Sequence, residues 1–100
     1  MENSYFATGT FAALGAAKTF SIGWKPKRVT VYDVTNNLTF IWTNTMDDAS
    51  AIKTIADGTQ SLVAADMVTP FAGSSSATAG FTIGATLAAN GATLHYVAER

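Results

Sequence analysis

Residues Gly80 to Ala98 read GFTIGATLAANGATLHYVA, and their reading decides how the end of the chain folds. Two runs rich in β-branched and aromatic residues flank Asn90-Gly91. That dipeptide accepts the positive φ angles of a two-residue type I′ turn, so the stretch predicts a β-hairpin. With Asn90 and Gly91 as the turn, Ala89 faces Ala92, Leu87 faces Leu94, Ala85 faces Tyr96 and Ile83 faces Ala98. The opposite face sets Thr82 against Glu99, Gly84 against Val97 and Thr86 against His95. One face is apolar and the other mostly polar, as in an antiparallel pair lying on a core.

Working outward, Arg28 to Thr35 and Leu38 to Asn44 predict a second hairpin around Asn36-Asn37, because Asn tolerates the left-handed region. A two-residue turn there pairs Thr35 with Leu38, Asp33 with Phe40 and Val31 with Trp42. One face carries Val29, Val31, Asp33, Leu38, Phe40 and Trp42; the other carries Thr30, Tyr32, Val34, Thr39, Ile41 and Thr43. Large apolar groups on both faces place this pair in the centre of the fold or against another chain. Tyr5 to Phe11 reads as a first strand or an extended arm, Ala12 to Ala17 as a short helical turn weakened by Gly15, and Lys18 to Ile22 as a strand. Gly23 to Lys27 breaks that strand at Pro26. Ile52 to Ile55 and Ser61 to Val63 flank an Asp57-Gly58 turn, Asp66 to Phe71 is a further strand broken at Pro70, and Ala72 to Thr78 is a loop. The expectation is an all-β fold, an antiparallel β-sandwich or jelly-roll-like arrangement of about seven or eight short strands. Residues 1–17 form an N-terminal strand or arm ahead of a single β-sandwich domain over residues 18–100.

Composition narrows function mainly by exclusion. One hundred residues make one domain, and the absence of cysteine removes disulfides, zinc–thiolate sites and thiol catalysis. A net charge of −1 supplies no basic field for nucleic acid. The N-terminus lacks the basic and apolar regions of a signal peptide. Met67 to Ala98 holds no Asp, Glu, Lys or Arg, yet its Thr, Ser, Gly and Pro70 interrupt any apolar run of about 20 residues, so no membrane span is expected. Charged residues make up 13% of the chain, against about 25% in ordinary domains. Either a Thr/Ser-coated β surface replaces them, or partner subunits cover much of the outside. Windows such as VTVYDV and LTFIWT are aggregation-prone when exposed, which favours obligate assembly.

No constellation of catalytic type is found. His95 is the only histidine and has no cysteine or elbow serine beside it, so it reads as a hydrogen-bonding surface or interface residue. Asp47, Asp48 and Asp57 lie in loops without EF-hand spacing; their expected role is turn chemistry, not calcium or glycosidase work. Lys25, Lys27 and Arg28 beside Trp24 are too few for a nucleic-acid patch and read as a solvated strand start or a contact with an acidic protein surface. Gly80 and Gly84 mark a strand start and a close packing contact, since no Lys-Ser or Lys-Thr follows to make a phosphate loop. No enzyme activity, metal or cofactor is expected.

Three segments in order carry a resemblance: Ile22-Gly23-Trp24-Lys25-Pro26-Lys27-Arg28-Val29, then Ala51-Ile52-Lys53-Thr54 with Asp57-Gly58-Thr59, then Gly80-Phe81-Thr82-Ile83-Gly84 leading to Leu94-His95-Tyr96-Val97-Ala98. Together they resemble small tailed-bacteriophage virion structural proteins, most like capsid decoration (cement) proteins. The resemblance runs from Lys18 onward and does not include Tyr5 to Ala17. It implies a non-enzymatic β-sandwich in the virion, on the capsid surface, that binds the major capsid protein as a homo-oligomer, a trimer in many such proteins. Such a shell protein binds at many repeated sites and gains avidity from symmetry. Tyr32, Val34 and Ile41 are its candidate interface residues if their face lies outside the protomer core; Tyr5, Phe6 and Phe11 are candidates if the N-terminus is an arm. The alternative is a tail-associated or receptor-binding module that holds glycans with Trp42 and Asn44 or Tyr32 and Thr30.

Overall fold

The structure is a computed structural model that describes residues 6–73 and 78–100. Among the described residues, eight strands form one antiparallel sheet: β1 (Phe6–Ala12), β2 (Lys18–Ser21), β3 (Arg28–Asp33), β4 (Leu38–Thr43), β5 (Ser50–Thr54), β6 (Gln60–Phe71), β7 (Gly80–Ile83) and β8 (Thr93–Glu99). Their order across the sheet is β1-β8-β3-β4-β5-β6-β7-β2. The fold is all-β, as the strand and turn signals predict. A meander runs from β3 to β7; the β1–β8 and β2–β7 pairs nest around it, which is its jelly-roll-like element.

The sheet curls until its two ends face each other. Phe11 of β1 lies 5.0 Å ring to ring from Phe20 of β2, and Phe20 lies 4.7 Å from Tyr96 of β8. Phe81 stacks on Phe20 at 5.3 Å. These rings close the open end of a core built from Val29, Val31, Phe40, Trp42, Val68, Ile83, Leu87 and Leu94. The bend lies in β6. Ala51 pairs with Val63 but Ser50 pairs with Val68, so β6 carries a bulge over the residues between, with Asp66 at φ 59°. The expected separate strands Ser61–Val63 and Asp66–Phe71 are therefore one strand. Pro70 does not end it, because beyond Val68 no residue of β5 pairs with β6 and the missing N–H faces no ladder.

The Gly80–Ala98 hairpin does not form. Both its strands exist, but β7 pairs with β6 and β2, while β8 pairs with β1 and β3. Gly84 to Ala92 is instead a connection packed on the core, with Leu87, Ala88 and Ala92 buried. Its backbone bonds to the β1–β2 loop: Ala13 donates to the Ala92 carbonyl, Gly15 to Ala88, and Gly91 to Ala13. Asn90-Gly91 is still a turn, closed by the Ala92 N–H on the Ala89 carbonyl. Only Gly91 takes a positive φ, at 88°, whereas a type I′ turn needs two. The loop Ala13 to Ala17 holds no helical turn, correcting that expectation.

The β3–β4 hairpin forms with a different register. Asp33 pairs with Leu38, Val31 with Phe40 and Val29 with Trp42, a shift of two residues from the predicted pairs. Asp33 causes it. Its buried carboxylate accepts the N–H groups of Thr35 (3.1 Å) and Asn36 (2.9 Å) and the Asn36 side-chain amide (2.9 Å), which lengthens the turn. Asn37 then sits at φ 57°. An even shift leaves each side chain on its predicted face. The pair is also central, with β8 and β5 on its flanks. Part of the Ala72–Thr78 loop, residues 74–77, lies outside the described residues.

Candidate functional site: the outer face of the sheet

Alternation divides every strand between the core and the convex outer face. Registers align the outward residues in rows. One row runs Thr8, Val97, Thr30, Ile41, Ile52 and Leu62, across β1, β8, β3, β4, β5 and β6. The next runs Thr10, His95, Tyr32, Thr39, Thr54 and Gln60 across the same strands. At about 4.8 Å between strands, each row is roughly 24 Å wide. Tyr32 is 44% exposed, Val34 54% and Leu62 68%. Ile41 is half-buried between Thr30 and Ile52.

Charge is almost absent from these rows. Arg28 and Glu99, neighbours in β3 and β8, are the charged pair on the face, and they neutralise each other through a 2.6 Å contact from Nε to Oε2 and a 2.8 Å bond from the second guanidinium nitrogen. The pair is solvent-accessible and screened, so it contributes at most about 1 kcal/mol. Beside Tyr32 the face dips into a shallow groove of about 560 Å³ whose lining includes Val34, Asn37, Leu38, Thr39 and Ile55.

Tyr32, Val34 and Ile41 thus share the solvent side of β3 and β4, where the sequence places them. Phe6 is 64% exposed at the start of β1. Phe11 is separated from them: it points inward onto Phe20 and serves the core. Tyr5 lies outside the described residues. The N-terminal segment from Phe6 is a strand of the sheet, not a detached arm. Ile52, Leu62 and Val97 were not legible as members of this surface, because their row exists only once β4 pairs with β5, and β8 with β3. The signal available was local: Ile52 stands between Ala51 and Lys53 in a five-residue strand, with the small Ala51 turned inward.

The other singled-out residues have structural roles. His95 is exposed in β8 between Thr10 and Tyr32, not opposite Thr86. Asp57 accepts the Thr59 N–H at 2.9 Å, and that bond holds its carboxyl below the usual value of 3.8. The Asp47 backbone carbonyl, not its carboxylate, accepts the Trp42 indole at 3.2 Å and the Ser50 hydroxyl at 2.6 Å. Trp42 is buried by this arrangement and presents no ring to a sugar. Trp24 packs against the core, while Lys25 and Lys27 are exposed. Among the described residues, no group of three or more His, Cys, Asp or Glu could hold a metal ion. Gly80 and Gly84 are close-approach positions: a Cβ on Gly80 would overlap the Phe20 carbonyl, and one on Gly84 would overlap that of Asp66.

Comparison with protein-family models, with curated proteins and with solved structures returns no match for this chain.

Proposed function

We propose that this protein is a non-enzymatic structural protein of a tailed-phage virion that decorates and stabilises the assembled capsid. It docks the outer face of β8, β3, β4, β5 and β6 on the major capsid protein. The observation that carries the reading is the pair of uncharged rows on that face, in which Ile41, Ile52, Leu62 and Tyr32 stand beside threonines. A monomer in water ordinarily keeps a contiguous face of this kind charged. A shell built of many identical sites needs only modest apolar contact at each, since linked copies bind with avidity. The motif order from Ile22 to Ala98 supports the phage assignment.

Copy number tests it. Quantitative mass spectrometry of purified particles of the phage that encodes this chain is expected to find hundreds of copies per particle. Absence from the particle, or a handful of copies confined to the tail, overturns decoration. The second outcome favours the alternative, a tail-associated receptor-binding module, whose one supporting feature is the groove beside Tyr32 with Asn37 and Thr39 in reach of a sugar's hydroxyls.

A further inference from the structure

We propose that the free edge of β1 pairs antiparallel with the β1 edge of a second copy of this chain, about a two-fold axis through Gly9. The inference stands on the sheet edge and is independent of the capsid reading.

An open sheet has two edges, and proteins ordinarily blunt them. The β2 edge is blunted. It is four residues long and starts at the exposed Lys18, whose ammonium lies 5.7 Å from the Phe20 ring. The β1 edge is different. It is seven residues long, FATGTFA, with no charge and no proline. Among the described residues nothing pairs with its outer side.

Backbone directions show which groups are free. Ala13 bonds in both senses to the β8 side, through its N–H to Ala92 and its carbonyl to Gly91. Alternation then turns Ala7, Gly9 and Phe11 toward β8 and leaves Phe6, Thr8, Thr10 and Ala12 with N–H and C=O pointing outward. Antiparallel self-pairing must match outward residues with outward residues. A two-fold at Gly9 does so: Phe6 meets Ala12 of the second copy and Thr8 meets Thr10, each pair exchanging two bonds, about eight in all. Thr opposite Thr is a favourable cross-strand pair. Gly9 meets Gly9 at the axis, where the Tyr96 ring already occupies the space of a Cβ; its Cε2 would lie 2.6 Å away. The outer rows continue across the join, Thr30-Val97-Thr8 running into the second copy's Thr10-His95-Tyr32. Pairing of the strand with its own copy is isologous, so both chains present the same outward residues, Phe6, Thr8, Thr10 and Ala12, and no charge is set against charge.

The test uses the full chain, which has no cysteine of its own. Thr8→Cys and Thr10→Cys are made as separate variants and mixed under mild oxidation. Directly opposed hydrogen-bonded residues have Cα atoms about 5.5 Å apart, within disulfide range. A cross-linked pair is expected in the mixture and not in either variant alone. Light scattering on the wild type is expected to give twice 10.4 kDa, and Thr8→Pro, which removes an outward N–H and no internal bond, is expected to give a single copy with an unchanged circular dichroism spectrum. A monomeric or trimeric wild type overturns the proposal. So does a dimer whose mixed variants fail to cross-link, and that result holds even if Thr8→Pro does not fold.

Discussion

Gly80→Ala separates the sheet described above from the hairpin that the sequence alone predicts. In the hairpin, Gly80 is a strand end facing nothing, and alanine there is neutral or slightly favourable. In the sheet, Gly80 is buried and paired on both sides, with Phe71 of β6 and Ser21 of β2. An added Cβ would overlap the Phe20 carbonyl oxygen, and would lie 2.8 Å from the carbonyl carbon and 3.1 Å from the Ser21 Cα. All three are backbone atoms, so no rotamer change relieves the clash. The relief available is withdrawal of β2. That loses part of a four-residue ladder, at about 0.5–1.5 kcal/mol per hydrogen bond. It also loosens Phe20 from Phe81 and Tyr96, and burial of such a ring is worth about 1.5–3 kcal/mol. The expected loss is about 3–5 kcal/mol, a large part of the roughly 5–15 kcal/mol that holds a domain of this size. Urea unfolding followed by the fluorescence of Trp24 and Trp42 measures it. A loss below about 1 kcal/mol would refute the placement of β7 between β6 and β2.

Further outcomes follow from single contacts. Asp33→Ala strips three hydrogen bonds from the β3–β4 turn and is expected to cost about 2–4 kcal/mol in urea unfolding; Asp33→Asn keeps the Oδ1 acceptor for both backbone N–H groups, and the Asn36 amide can turn its oxygen to the new NH2, so less than half of that loss is expected. Asp57 has a folded pKa below 3.8, so its contribution is complete above 3.8 and disappears as the pH falls through the lower folded value. An NMR titration of the Asp57 carboxyl is expected to give a midpoint under 3.8, and Asp57→Ala to flatten the acid limb of stability; a midpoint at or above 3.8 contradicts the Thr59 contact. Arg28→Ala is expected to change stability by less than about 1 kcal/mol and to lose even that in high salt, checked by thermal melts at two ionic strengths.

Sequence periodicity reported faces well and partners poorly. Val29, Val31, Phe40 and Trp42 are buried as the alternation requires, and Tyr32, Val34 and Ile41 lie on the other side. The two-residue register error of this hairpin was invisible to the pattern because an even slip preserves every face. The same limit explains the final hairpin. Ile83, Leu87, Leu94 and Ala98 are all buried, as one apolar face predicts, but in different strands and a packed connection. Nothing in a period of two distinguishes Ile83 opposite Ala98 from Ile83 between Lys18 and Val68, its actual neighbours. The wider apolar row on the outer face was hidden for the same reason, since Ile41, Ile52 and Leu62 meet only through long-range pairing. Gly84, by contrast, was legible as a close-packing position, because a glycine inside a β-rich run signals close backbone approach, whereas Gly80 read as a strand start and its approach to the Phe20 carbonyl exists only through the β2–β7 pairing.

The central claim is that the outer face binds a protein shell. Co-sedimentation with assembled capsids of the phage proposed to encode this chain, stripped of it, tests that claim most directly, with wild type beside Tyr32→Lys/Ile52→Lys. Both side chains point away from the core, so the variant is expected to melt as the wild type does. The wild type is expected to saturate the shell at hundreds of copies, and the variant to lose at least about tenfold in affinity, the effect of burying unpaired charge at a contact. Equal binding by the two proteins, or no binding by the wild type, would contradict the account.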